Sequence, residues 1–206
     1  MRAVTRLFGA TPALRGVSAS FSPGTITLLE GPNGAGKSTL LAIIGTVLSP
    51  SSGVVVYDPV GSERERVRAH IGWVAHESHC YRELTGRQNV ELAARLHGID
   101  PNEAWRRVVE RVGAQAFGER RFSTLSRGQR QRISLARALA HSPSVLLLDE
   151  PWTGLDTTSA ARLEEVLLAE RERGTLIIVV SHAKGLAERL GAARLRLEAG
   201  RVVDST

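Results

Sequence analysis

The run Gly31-Pro32-Asn33-Gly34-Ala35-Gly36-Lys37-Ser38-Thr39 limits the folds open to this chain more than any other segment. Its glycines free successive backbone N–H groups to wrap an anion, the lysine reaches the outer phosphates, and the Ser38 hydroxyl is placed to ligate magnesium. The flanks supply the context such a loop needs. Residues 25–29 read as a short apolar strand and residues 40–44 as a buried helical segment. Strand, glycine loop and helix in that order predict an α/β core with a nucleotide bound at the loop. Lys37 stands out in composition too: with Lys184 it is one of two lysines among 27 basic residues. A planar guanidinium cannot replace a compact ammonium threaded between phosphates, so the lysine kept here is a site requirement.

A second cluster lies at Val145-Leu146-Leu147-Leu148-Asp149-Glu150, an apolar strand ending in two carboxylates. Open α/β sheets bind ligands at the carboxyl ends of their strands, so Asp149 is expected to hold magnesium, directly or through water. Glu150 is expected to polarise the water that attacks a γ-phosphate. Strand ends often carry charge; it is the pairing with Lys37 that gives these acids work.

The rest of the pattern alternates. Strands are expected at 25–29, 54–57, 71–75, 145–149 and 176–181, with a final hairpin over 194–203 turned at Ala199-Gly200. Helices are expected at 88–97, 103–112, 127–140, 158–173 and 184–190. Between Glu77 and His141 the pattern offers helices and no strand, which predicts a helical lobe inserted into a mostly parallel sheet.

The 206 residues suffice for one domain, and Cys80 stands alone, so no internal disulfide is possible. Arg2 and Arg6 are not followed by the apolar stretch of a signal peptide, and a reducing, cytoplasmic compartment is expected. The longest apolar runs are strand-length, far short of the roughly 20 residues a membrane helix needs. Net charge is +6, but arginines interleave with glutamates in Glu63-Arg64-Glu65-Arg66 and Glu170-Arg171-Glu172-Arg173. That spacing predicts solvated, salt-bridged helix faces rather than a nucleic-acid surface, and no nucleic-acid partner is expected.

Leu125-Ser126-Arg127-Gly128-Gln129 opens a helix whose free N–H groups and positive dipole end suit a phosphate. Taken alone, the segment fits an ordinary Ser-capped helix better. Followed by residues 130–139 and lying just upstream of Asp149-Glu150-Pro151, it resembles the signature of the ABC-type ATPases. The likeness extends along nearly the whole chain. Thr153-Gly154-Leu155-Asp156 resembles the loop that links two active sites across a dimer. Ser181-His182 resembles a histidine switch that touches the γ-phosphate, and Phe8-Gly9 stands where the family places an aromatic that stacks on adenine.

The resemblance implies an α/β P-loop NTPase (RecA-like) core with a mostly parallel sheet, N-terminal antiparallel β elements and an inserted helical subdomain. Residues 1–206 would form one domain, with 1–76 and 141–206 as nucleotide-binding core and 77–140 as the signature lobe. It implies ATP and Mg2+ as cofactors and a head-to-tail dimer closing around two nucleotides. Each site would take Gly31 through Thr39 and Asp149 from one copy, with Glu150, Lys37 and His182 as its catalytic residues, and Ser126, Gly128 and Gln129 from the other. Two departures stand out. The family usually has glycine at the position of Arg127, and a glutamine that helps hold magnesium where this chain has His76 followed by Glu77. A neutral imidazole suits softer metals, so His76 is expected to act through a water or as a coupling element.

Within the family, Gly72-Trp73-Val74-Ala75-His76-Glu77, residues 83–90 and residues 92–98 are similar to the ATPase subunit of the cytochrome c maturation system, a haem exporter. The implied partners are an integral-membrane permease and a second copy of this chain, at the cytoplasmic face of the inner membrane. Tyr81, Arg82, Glu83 and Leu84 are the candidates for the coupling face. A lipid, drug or lipoprotein exporter subunit is the alternative within transport. A non-transport or DNA-associated ATPase is the alternative outside it, but the second cassette, coiled coil or basic stripe usual there is not seen.

Overall fold

Strands covered on both faces carry continuous apolar runs, and a parallel sheet is the arrangement that covers both. The computed structural model, which describes residues 1–75 and 78–205, arranges the apolar runs of this chain in that way. In chain order the elements are β1 (Arg2–Phe8), β2 (Thr11–Val17), β3 (Ile26–Glu30), α1 (Lys37–Ile44), β4 (Ser52–Val54), α2 (Arg64–Arg68) and β5 (Ile71–Val74). They continue with α3 (Gly86–Leu96), α4 (Pro101–Val109), α5 (Arg127–Leu139), β6 (Val145–Asp149), α6 (Thr157–Glu172), β7 (Leu176–Val180), α7 (Leu186–Leu190), β8 (Ala193–Glu198) and β9 (Arg201–Ser205). One sheet has the order β5-β6-β7-β3-β8-β9, parallel except for β9 at its edge. A separate antiparallel sheet has the order β2-β1-β4.

The period of two along each strand divides the core. Leu146 and Leu148 of β6 and Ile177 and Val179 of β7 point toward the side where α3 to α7 pack. Leu147, Ile178 and Val180 point to the other side, onto α1 and onto Val4, Leu14 and Val17 of the small sheet. Each of these leucines is fully buried, and burying one stabilises by roughly 1.5–3 kcal/mol.

From 78 to 144 the described residues contain helices and no strand. Their starts are written in the sequence. Thr85 and Gln88 form a capping box on α3, Asp100 caps α4 with Pro101 in its first turn, and Ser126 and Gln129 form a capping box on α5. Val90, Ala94, Trp105, Val108 and Ile133 pack these helices together and onto the sheet.

Two sequence expectations change. Of the apolar run 54–57 only Val54 lies in a strand, at the end of β4, and Val54 and Val56 are 41% and 57% exposed. The N-terminal antiparallel elements that the resemblance implied are present as β1 and β2, seven residues each. Glu170 does not lie on a solvated face. Only 4% exposed, it receives Nη1 of Arg111 at 3.3 Å and Nη1 of Arg173 at 3.1 Å, partners that a buried carboxylate requires. No helix among the described residues is long and apolar enough to cross a membrane.

Candidate nucleotide-binding site

β3 leads into a loop that only its glycines permit. A Cβ on Gly31, at φ +140°, would stand 2.1 Å from the Leu197 carbonyl oxygen, and one on Gly36, at φ +102°, 2.5 Å from that of Ala13. The loop is therefore pressed between β8 and β2. Gly200, at the β8–β9 turn, donates its N–H to the Ala35 carbonyl at 3.1 Å and accepts from Arg15 of β2 at 2.8 Å. Supported in this way, the loop delivers the chain to α1 with Gly36 at the N-cap, no side-chain cap and no acid in the first turn. The free N–H groups and positive dipole end there attract an anion.

Lys37 is only 7% exposed. Its Nζ donates to the carbonyls of Gly31 at 2.7 Å and Pro32 at 3.0 Å. An ammonium carries three N–H donors, so one remains for a phosphate. Burial lowers the Lys37 ammonium from its usual value, while the Glu150 and Asp149 carboxylates pull the other way.

A cavity of about 300 Å³ gathers these groups with those at the end of β6. Asn33, Gly34, Gly36, Lys37, Ser38 and Thr39 line one side; Asp149, Glu150 and His182 line the other, with Ala13 of β2 at the rim. Asp149 ends β6 in register with Val180. Glu150 follows at φ +50°, a conformation uncommon outside glycine, held by its N–H to the Val180 carbonyl at 2.9 Å. This turn brings Oε1 of Glu150 to 3.4 Å from Nε2 of His182, which is half-exposed after β7. Gly31 and Pro32 also border a neighbouring cavity of about 600 Å³ between His182, Lys184, Arg194 and Arg196.

Other expected site residues lie apart from this cavity. Ser126 and Gln129 are engaged with each other: Oγ of Ser126 accepts from the Gln129 N–H at 3.3 Å, and Oε1 of Gln129 accepts from the Ser126 N–H at 3.0 Å. Gly128 packs on α6, where a Cβ would meet Oγ of Ser159 at 2.2 Å. Asp156 caps α6 by accepting from the Ser159 N–H at 2.7 Å, and that bond lowers its pKa. Phe8 ends β1, 49% exposed, with the Arg6 guanidinium 4.8 Å from its ring centre. His76 lies outside the described residues. Sequence reasoning missed Ala13, Leu197, Gly200 and Arg6. Their positions carry no motif: Arg6 meets Phe8 two residues along β1, and Ala13, Leu197 and Gly200 reach the loop only through strands paired far along the chain.

Residues 14–153 match the family model described as "ABC transporter". The lipoprotein-releasing system ATP-binding protein LolD of Bacteroides fragilis (strain YCH46) is 32% identical over 199 residues, 91% of this chain and 92% of that protein. The cytochrome c biogenesis ATP-binding export protein CcmA of Pseudomonas fluorescens (strain Pf0-1) is 33% identical over 161 residues, 77% of this chain and 76% of its own length. Among solved structures, the dimeric post-hydrolysis state of the ATP-binding cassette MJ0796 bound to ADP and Pi superimposes with a TM-score of 0.88 at 28% identity. The match covers 100% of this chain and 96% of that one.

Proposed function

The chain belongs to the ABC transporter ATP-binding family, and from that premise we propose that it is the ATP-hydrolysing subunit of a multi-subunit transporter, working as a head-to-tail pair. One observation carries the reading. A single cavity holds Lys37, Ser38, Asp149, Glu150 and His182, while Ser126 and Gly128 stand elsewhere on the same protomer, where they would meet the site of a second copy.

In this reading the loop amides and the third Lys37 donor take the β- and γ-phosphates. The donor set fits magnesium: the Ser38 hydroxyl and the Asp149 carboxylate are hard oxygen ligands. Among the described residues no group of three or more His, Cys, Asp or Glu could hold a metal, and magnesium characteristically takes one or two protein oxygens with phosphates and water. Bound there, the ion would neutralise charge on the phosphate oxygens. Glu150 orients the attacking water and draws its proton, and His182, 3.4 Å away, holds the carboxylate side of the γ-phosphate pocket. Phe8 offers its free face to adenine, backed by Arg6. Loss of the γ-phosphate removes the bridge between the two copies and opens the pair. The lobe 77–140, in which Tyr81 is 60% exposed, would pass that motion to a permease at the cytoplasmic face of the membrane.

For cargo we infer haem export in cytochrome c biogenesis, supported by residues 72–77, 83–90 and 92–98 and by the likeness to CcmA. Lipoprotein release is the second reading, because the LolD match runs over more of both chains. Glu150→Gln with ATP should trap the closed pair and retain its permease through detergent extraction, for identification by mass spectrometry. Haem-handling membrane proteins in the complex support the first cargo and a lipoprotein-releasing permease the second. Recovery of no membrane protein would count against a transport role.

A further inference from the structure

The helices α5 and α6 begin side by side. Gly128 leaves no space for a side chain against Ser159, and one residue earlier Arg127 lies over Gly154. A Cβ on Gly154, at φ +69°, would stand 2.7 Å from both Cζ and Nε of Arg127 and 3.0 Å from Nη1. Arg127 is the first residue of α5 and is exposed. Neither burial nor the helix dipole accounts for a cation there, since the positive end of a helix disfavours one. What the guanidinium does make is a close packing approach to Gly154, within the 153–156 loop. That loop also has short-range bonds, Thr153 N–H to the Glu150 carbonyl at 3.2 Å and Leu155 N–H to that of Trp152 at 3.1 Å, and Trp152 and Leu155 pack against the core on either side of Thr153 and Gly154. It also joins Glu150, in the nucleotide cavity, to Asp156, which caps α6.

We propose that Arg127 is a positioning residue that latches the 153–156 loop to the start of α5, so that both segments meet the second copy's nucleotide as one rigid unit. Two loops ordered separately would each lose conformational freedom when the pair closes; two loops already joined lose less. The broad, planar guanidinium suits a contact with a peptide backbone that a lysine ammonium would make poorly. The inference rests on the two-copy clamp for its consequence but not for its geometry, and the two parts are tested apart.

In the nucleotide-free full chain, Arg127→Ala should speed amide exchange at Thr153 and Leu155 on the order of ten-fold, with the amides of β6 unchanged. Arg127→Lys should restore only part of that protection. In the Glu150→Gln background, Arg127→Ala should raise the protomer concentration for half-dimerisation in ATP by about ten-fold, while ATP binding to single protomers changes by less than about two-fold. Unchanged exchange at Thr153 and Leu155 overturns the latch, and faster exchange with unchanged dimerisation overturns its part in closure. If no ATP-dependent pair forms with either residue at 127, the two-copy reading fails, and the exchange result still decides the latch.

Discussion

Lys37 spends two of its donors on Gly31 and Pro32, so the loop carries part of its own ligand's electrostatics before any phosphate arrives. Truncating it removes a charged hydrogen bond to phosphate and loosens the loop together. Lys37→Ala should weaken ATP binding by roughly 10–100-fold, read by calorimetry, and Lys37→Arg should not restore it. Glu150 is held to a different task by its positive φ and its bond to Val180. Glu150→Gln keeps shape and loses basicity, so turnover should fall about 10²–10⁴-fold while ATP affinity stays within a few-fold. Intact turnover in that variant would remove Glu150 from the chemistry. Lys37, Ser38, Asp149 and Glu150 could be read from sequence because a phosphate loop and a strand-end acid pair require consecutive residues. Ala13 at the rim and the Leu197 carbonyl against Gly31 could not, since each contact depends on where a distant strand falls.

At the scale of elements, apolar periodicity made the six-stranded sheet legible, whereas the three-stranded one was implied only by the family resemblance, for one physical reason. β6 and β7 are buried on both faces and carry unbroken apolar runs. β1 buries only Val4 fully and breaks its alternation at register shifts between Val4, Arg6 and Leu7. The valines of 54–56 misled in the opposite sense, being apolar but largely exposed. Helix starts were displaced by two residues after the caps Thr85 and Asp100, whereas α5, capped by Ser126, begins at Arg127 as expected. Leu147 tests the packing side of this account. It is fully buried against the α1 face, so Leu147→Ala should cost about 2–5 kcal/mol in denaturant unfolding. A loss under about 1 kcal/mol would mean that this face of the sheet is not closely packed.

For the molecule as a whole, the join between the helical lobe and the sheet carries an acid sensitivity. His97 at the end of α3 stacks on His141 after α5, ring centres 3.8 Å apart, and Nε2 of His141 lies 3.1 Å from the Ile71 carbonyl of β5. Burial, with His97, His70 and Arg107 adding to it, pushes His141 down to about 4, although the Ile71 bond opposes the shift. His97 is lowered as well, by burial and then by Arg137. The unfolded ring takes a proton near 6.5, so below that pH the unfolded chain binds more protons than the folded one. Stability is complete above 6.5 and is lost as pH falls toward 4. Urea midpoints at about pH 7.5 and about pH 5 should differ in wild type, and His141→Gln should narrow the gap. An equal gap in both proteins would assign the acid sensitivity elsewhere.

The seat of the phosphate loop has a consequence in the order of synthesis. Residues 31–39 leave the ribosome long before the Leu197 carbonyl and the Gly200 amide that close on Gly31 and Ala35. A nascent chain can therefore carry the complete phosphate motif and still lack the surface that shapes it. Chains stalled before Ala193 should fail to retain an ATP analogue, and chains stalled after Ser205 has cleared the exit tunnel should hold it. Retention by the shorter chains would show that the loop shapes itself without the hairpin.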